Sequence, residues 1–240
     1  MSNLLLWVLF ALVNFLLIVG IYKLFGKTGL FSWIALGTVL ANIQVIKSIE
    51  FDFGFFVIAA TLGNIMYGTL FLVTDALGEK YGVKQARKAV YIGFFSLIAM
   101  TIIMRMAIAF VPDTFGETAN EALKVIFVPM TRIVLGSLIA YAASQMLDVW
   151  LFDKLKKKFP ENNKLYIRNI GSTIVSQLVD TIIFVPIAFL SIGQFQMFPN
   201  DLVWQILWST YFIKLLVAIL DTPFVYLIRR IKPLNLLDEK

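Results

Sequence analysis

Two polar stripes run through otherwise apolar stretches in the second half of the chain. The first comprises Ser137, Tyr141, Ser144 and Asp148, with Gln145 beside it; the second comprises Asn169, Thr173, Ser176 or Gln177, and Asp180. Spacings of three and four put each set on one helical face. Further on, Lys214 and Asp221 stand seven apart and share a face of a third segment. If the first two stripes face each other, they enclose a wet, hydrogen-bonding cavity with two carboxylates and two amides, suited to a small solute. A charged side chain within hydrocarbon costs about 2.5–3.5 kcal/mol, so Arg105, Arg132, Asp180, Lys214 and Asp221 each need a reason. Each also has a purely structural reading. Serine and threonine bond their own helix backbone, Asp and Lys pair to hold a bundle together, and Arg105 near a span end can snorkel to the interface.

The segments that must position these residues are membrane spans. The chain has 240 residues, 60% of them hydrophobic and 15% charged, with a mean hydropathy of +0.84. A soluble domain is only about half apolar and about a quarter charged. Apolar runs near the ~20-residue spanning length occur at 4–22, 55–73, 89–111, 125–147, 173–192 and 202–219, with a shorter one at 31–46 that could be tilted or partly re-entrant. This predicts an all-α polytopic integral membrane helix bundle, a single domain of six or seven transmembrane helices. The first run follows Met1-Ser2-Asn3, which lacks a basic leader, and is expected to be a retained span rather than a signal peptide.

Charge in the connections sets the orientation. Lys23 and Lys27, then Lys80, Lys84, Arg87 and Lys88, then the run from Lys154 to Arg168, then Arg229, Arg230, Lys232 and Lys240 fall in alternate connections. The intervening ones hold only Lys47 and Lys124 beside Glu50, Asp52, Asp113, Glu117, Glu121 and Asp201. Seven spans with the N-terminus outside and the C-terminus in the cytoplasm satisfy this alternation. The net charge of +6 is therefore a topology signal, and no nucleic-acid partner is expected. With no cysteine and no histidine, thiol catalysis and a Ser-His pair are excluded. No Gly-rich phosphate loop or His-Glu-x-x-His motif occurs. The expectation is a non-enzyme without cofactor or metal.

Three ordered blocks carry a resemblance. They are Phe71-Leu72-Val73-Thr74-Asp75 running on to Gly78-Glu79-Lys80-Tyr81-Gly82 and Ala86-Arg87; Ala142-Ala143-Ser144-Gln145-Met146-Leu147-Asp148-Val149-Trp150-Leu151-Phe152; and Arg168-Asn169 with Gly171-Ser172-Thr173, Ser176-Gln177 and Asp180-Thr181. Together with a weaker echo at Tyr211–Lys214, the sequence over about residues 30–230 resembles the bacterial queuosine precursor transporter family, also called the vitamin uptake transporter family. Residues 1–29 would then be an added N-terminal span and loop. The resemblance implies a carrier in the bacterial cytoplasmic membrane that imports 7-deazaguanines, chiefly 7-cyano-7-deazaguanine. Such a base offers an N–H and an amine beside a carbonyl. A carboxylate, Asp180 or Asp148, suits the two donors, and Gln145, Asn169 and Gln177 suit the rest, with Thr173 on the same face. Arg105 or Arg132 suits a carbonyl or nitrile, Lys214 is a further candidate, and Tyr141, Phe184 or Trp150 suits stacking. Asp75 is expected just past a span, capping a helix that starts near Glu79 or pairing with a basic gate residue. Two other readings stand beside the carrier: a binding subunit that needs a separate ATPase, and a non-transporting membrane scaffold.

Overall fold

The computed structural model describes residues 2–52, 54, 57–128, 130–190 and 200–234. The expected span boundaries at Phe55 and Ile192, and Lys240 of the basic tail, lie outside them. Helix α1 (Asn3–Gln44) is too long to cross once: 42 residues would reach roughly 63 Å against a hydrocarbon core of ~30 Å. It folds back on itself at Gly26, whose φ of 57° and ψ of −135° suit a residue without Cβ. The Asn3 side chain therefore donates to the Glu50 carbonyl at 2.9 Å, just beyond the other end of α1. The run at 31–46 is thus a full antiparallel partner of the first half, not a re-entrant turn.

Next comes an antiparallel hairpin of β1 (Ser48–Asp52) and β2 (Val57–Thr61), with Ser48 opposite Thr61. This corrects the expected span at 55–73. The β-branched Val57, Ile58 and Thr61 suit a strand, and the helix begins only afterwards. That helix is α2 (Gly63–Tyr81), buried from Gly63 through Gly78. Asp75 therefore lies inside α2. It caps nothing, because Glu79 belongs to the same helix and the next one, α3 (Val83–Ala109), follows the positive-φ turn at Gly82. A short helix α4 (Glu117–Phe127) lies between α3 and α5 (Met130–Lys158), so the expected fifth span starts later than Val125 and runs further. A single 3₁₀ turn at Asn162–Lys164 leads into α6 (Leu165–Phe189), and α7 (Asn200–Arg230) closes the chain.

Five of these helices, α1, α3, α5, α6 and α7, are long and apolar enough to cross a membrane. Their exposure follows lipid rather than water. Leu5, Leu16, Phe95, Ile103 and Met106 are exposed, while Asn42, Asn64, Asp75, Gln145, Asp148 and Asn169 are buried. The basic segments meet at one end. Lys23 donates to the Lys232 carbonyl at 3.0 Å, Lys80 to that of Ile228 at 3.0 Å, and Lys156 to that of Glu79 at 2.6 Å. Among the described residues, the turn of α1 and the C-terminal ends of α2, α5 and α7 thus gather at this basic end.

Candidate functional site

Helices α5 and α6 form the most extensive pairing in the bundle and run antiparallel. Their stripes interlock reciprocally. Ser144 on α5 donates to Asp180 Oδ1 on α6 at 2.8 Å, and Ser176 on α6 donates to Asp148 Oδ1 on α5 at 2.8 Å. Each serine stands four residues before the aspartate on its own helix, so the two rungs are related by a local two-fold axis between the helices. Ser144-Gln145-Met146-Leu147-Asp148 and Ser176-Gln177-Leu178-Val179-Asp180 are the same pattern, Ser-Gln-x-x-Asp, written twice. Comparing the chain with itself reveals this signal; reading the two stripes separately misses it.

Helix α7 adds two rungs to α6. Lys214 is ion-paired with Asp180 Oδ2, and Asn169 Nδ2 donates to Asp221 Oδ1 and to Thr222 Oγ1, both at 2.9 Å. Lys214 and Asp221 thus share a face, as their spacing predicts, but each pairs with α6 rather than with the other. The Asp180–Lys214 pair lies in a small buried pocket with Asn64, Tyr67, Ser137 and Phe184. Tyr67 accepts from Asn42 at 2.9 Å, and its ring lies 5.6 Å from the Lys214 ammonium. Tyr67 and Asn64 were not anticipated, because they sit in an apolar run without periodic polar company.

Of the other expected residues, Gln145, Thr173 and Gln177 are buried. Both side-chain polar atoms of Gln145, Gln177 Oε1 and Asn169 Oδ1 have no hydrogen-bond partner among the described residues. Buried amides are normally satisfied, so these are available to an incoming polar group. Tyr141 is buried and meets Phe94 edge-on, with ring centroids 5.2 Å apart. Phe184 lines the pocket, whereas Trp150 is 44% exposed and carries Lys154 over its ring, which removes it from the stacking set. The two arginines are not brought to the site. Arg132 donates to the carbonyls of Ile187 (2.7 Å) and Leu190, tying off the end of α6, and exposed Arg105 reaches the Val128 carbonyl at 3.4 Å.

Nearer the basic end, Asp75 on α2 faces Asp148 within side-chain hydrogen-bond reach. Beyond them, buried Glu79 gathers Arg168 at 2.9 Å, Arg229 at 3.1 Å and Lys156 at 3.5 Å. Arg168, fully buried at 0% exposure, also donates to the Phe159 carbonyl at 2.8 Å. This hub fastens α2, α5, α6 and α7 together at that end.

The family described as "Putative vitamin uptake transporter" matches residues 61–228, which contain all of these contacts except those of α1 and of Arg229. A Bacillus subtilis protein named "Probable queuosine precursor transporter" is 44% identical over 227 residues, 95% of each chain. A Haemophilus influenzae protein of the same name is 26% identical over 138 residues, 58% of this chain and 54% of the relative. No solved structure matches. With a family match over most of its length and a relative this similar end to end, the chain belongs to the vitamin uptake transporter family.

Proposed function

We propose that this protein imports a queuosine precursor, a 7-deazaguanine base such as 7-cyano-7-deazaguanine, across the bacterial cytoplasmic membrane. The observation that carries the solute site is the crossed Ser-Gln-x-x-Asp pair, which leaves buried Gln145 and Gln177 amide atoms unsatisfied beside Asp148 and Asp180. The names of the two relatives support the choice of solute. In this reading Asp180 accepts the paired N–H donors of the base, Gln145 and Gln177 bond its remaining edge, and Phe184, Tyr67 or Tyr141 packs against the ring, while Thr173 and Asn169, about two and three helical turns nearer the basic end, line the path of the solute beyond the pocket. Lys214 holds Asp180 in place between loads. Asp75 and the Glu79 hub belong to the inner gate. The chain crosses the membrane seven times, with residues 30–230 as the carrier core, the N-terminus outside and the basic end in the cytoplasm.

The test is a bacterium that can neither make queuosine precursors nor import them. Expression of this chain with limiting external 7-cyano-7-deazaguanine is expected to restore queuosine in tRNA. No restoration, with the protein present in the membrane and queuine equally ineffective, removes the reading. Uptake by the purified protein in liposomes is expected without a partner; a requirement for a separate ATPase identifies a binding subunit instead. Because the native chain has no cysteine, a single one introduced at Ser2 reports topology directly. It is expected to react with an impermeant thiol reagent in intact cells.

A further inference from the structure

Asp75 and Asp148 face each other with burial almost complete, at 2% and 0% exposure. One oxygen of Asp148 takes the Ser176 hydroxyl, while Oδ2 of each aspartate finds no donor among the described residues. An ionised carboxylate only accepts, so two carboxyl groups in this contact need one acid between them to donate. The nearby cations are engaged elsewhere: Lys214 with Asp180, and Lys156, Arg168 and Arg229 with Glu79.

The groups facing the pair come from every neighbouring helix. Helix α7 contributes Asp221 and α2 itself contributes Glu79, both near enough for their charge to act on Asp75. From α6 come the hydroxyls of Ser172 and Ser176. From α3 come Val83 and Ala86, while Tyr22 of α1 turns its hydroxyl to Tyr81. A cleft between α2, α3 and α5 reaches Asp75 from the basic end, past Phe152, Asp153 and Lys156.

We propose that Asp75 and Asp148 form a proton-binding site that exchanges one proton with the compartment at the basic end through this cleft. Resting on the import reading above, that proton is the coupling ion. The acid of the pair passes its proton to water in the cleft, giving hydronium and leaving two carboxylates whose repulsion parts α2 from α5. Reprotonation from the outer side, when the carrier opens that way, lets the helices close and completes the inward transfer of one proton. Asp148 lies one turn from Ser144, which holds Asp180, so the movement of α5 is felt at the solute pocket.

Infrared spectroscopy of the purified full-length protein in lipid tests the site without any solute. At neutral pH the carbonyl stretch of a protonated carboxylic acid is expected in the native chain and absent from Asp75→Asn and Asp148→Asn. In each variant the new amide can supply the hydrogen bond in place of the acid. A native spectrum without that band overturns the proposal. In liposomes, an inward proton gradient of about one pH unit is expected to raise accumulation of 7-cyano-7-deazaguanine about tenfold, for one proton per solute. Asp75→Asn is expected to lose this stimulation while still binding 7-cyano-7-deazaguanine. A native chain driven by sodium instead, or indifferent to the gradient, overturns the coupling while leaving the carrier intact. An acid band without exchange of any 7-deazaguanine keeps the proton site and removes the solute assignment.

Discussion

Asp148 and Asp180 occupy the same place in the same five-residue pattern, and each receives a serine hydroxyl from the opposite helix at the same distance. Their second partners differ. Asp180 meets the ammonium of Lys214 from α7, whereas Asp148 meets a second carboxyl, Asp75 from α2. The repeated pattern sets the position of each aspartate, and the helix packed against it sets the charge. One half of the axis is thereby built around an ion pair. The other half is built around two facing carboxyl groups, the proposed proton site.

The sharpest way to break this comparison is at Asp180. Asp180→Asn leaves Lys214 buried without its counter-charge, and removing one member of a buried pair costs about 3–5 kcal/mol. Uptake is expected to be abolished and the melting temperature lowered, as read by transport assay and thermal denaturation in detergent. Adding Lys214→Met should recover much of the stability and none of the uptake; native uptake in the single variant would refute the solute role. Asp148→Asn is expected to behave oppositely, because it strands no cation. Its melting temperature should stay near native while proton stimulation of uptake disappears.

The serines give a finer contrast. Hydrogen bonds to charged groups contribute about 1.5–3 kcal/mol. Ser144→Ala is expected to fall at the low end because Lys214 still holds Asp180. Ser176→Ala should cost more and also displace the pH profile of uptake; equal effects on both measurements would remove the asymmetry. At the bottom of the scale, Trp150→Leu faces outward and is expected to change stability by no more than about 0.5 kcal/mol, with uptake unaltered.

The stripes on α5 and α6 were legible because polar residues at helical spacing stand out in apolar runs. The folding back of α1 was legible from Lys23 and Lys27 between two apolar stretches. The position of α2 was not. Hydropathy finds helices that face lipid, and α2 faces other helices, so its apolar stretch blends into the hairpin before it and its polar end looks like a loop. The same cause hid Tyr67 and Asn64 and placed Asp75 outside the span. The arginines were singled out for their charge alone, and nothing in their spacing shows that Arg132 serves the carbonyls ending α6.

The composition of α2 bears on how the protein is made. The segment carries Asn64, Thr69, Thr74, Asp75, Glu79 and Lys80, and it does not qualify as a membrane span by hydropathy. It leaves the ribosome before α5, α6 and α7, which hold the partners of Asp75 and Glu79. Partition of α2 into lipid at that moment lacks the contacts that later compensate its polar groups. The nascent chain must therefore keep α2 at the insertion machinery or the membrane surface until the later helices arrive, and a chain cut short after α3 presents a half-inserted segment for quality control to remove.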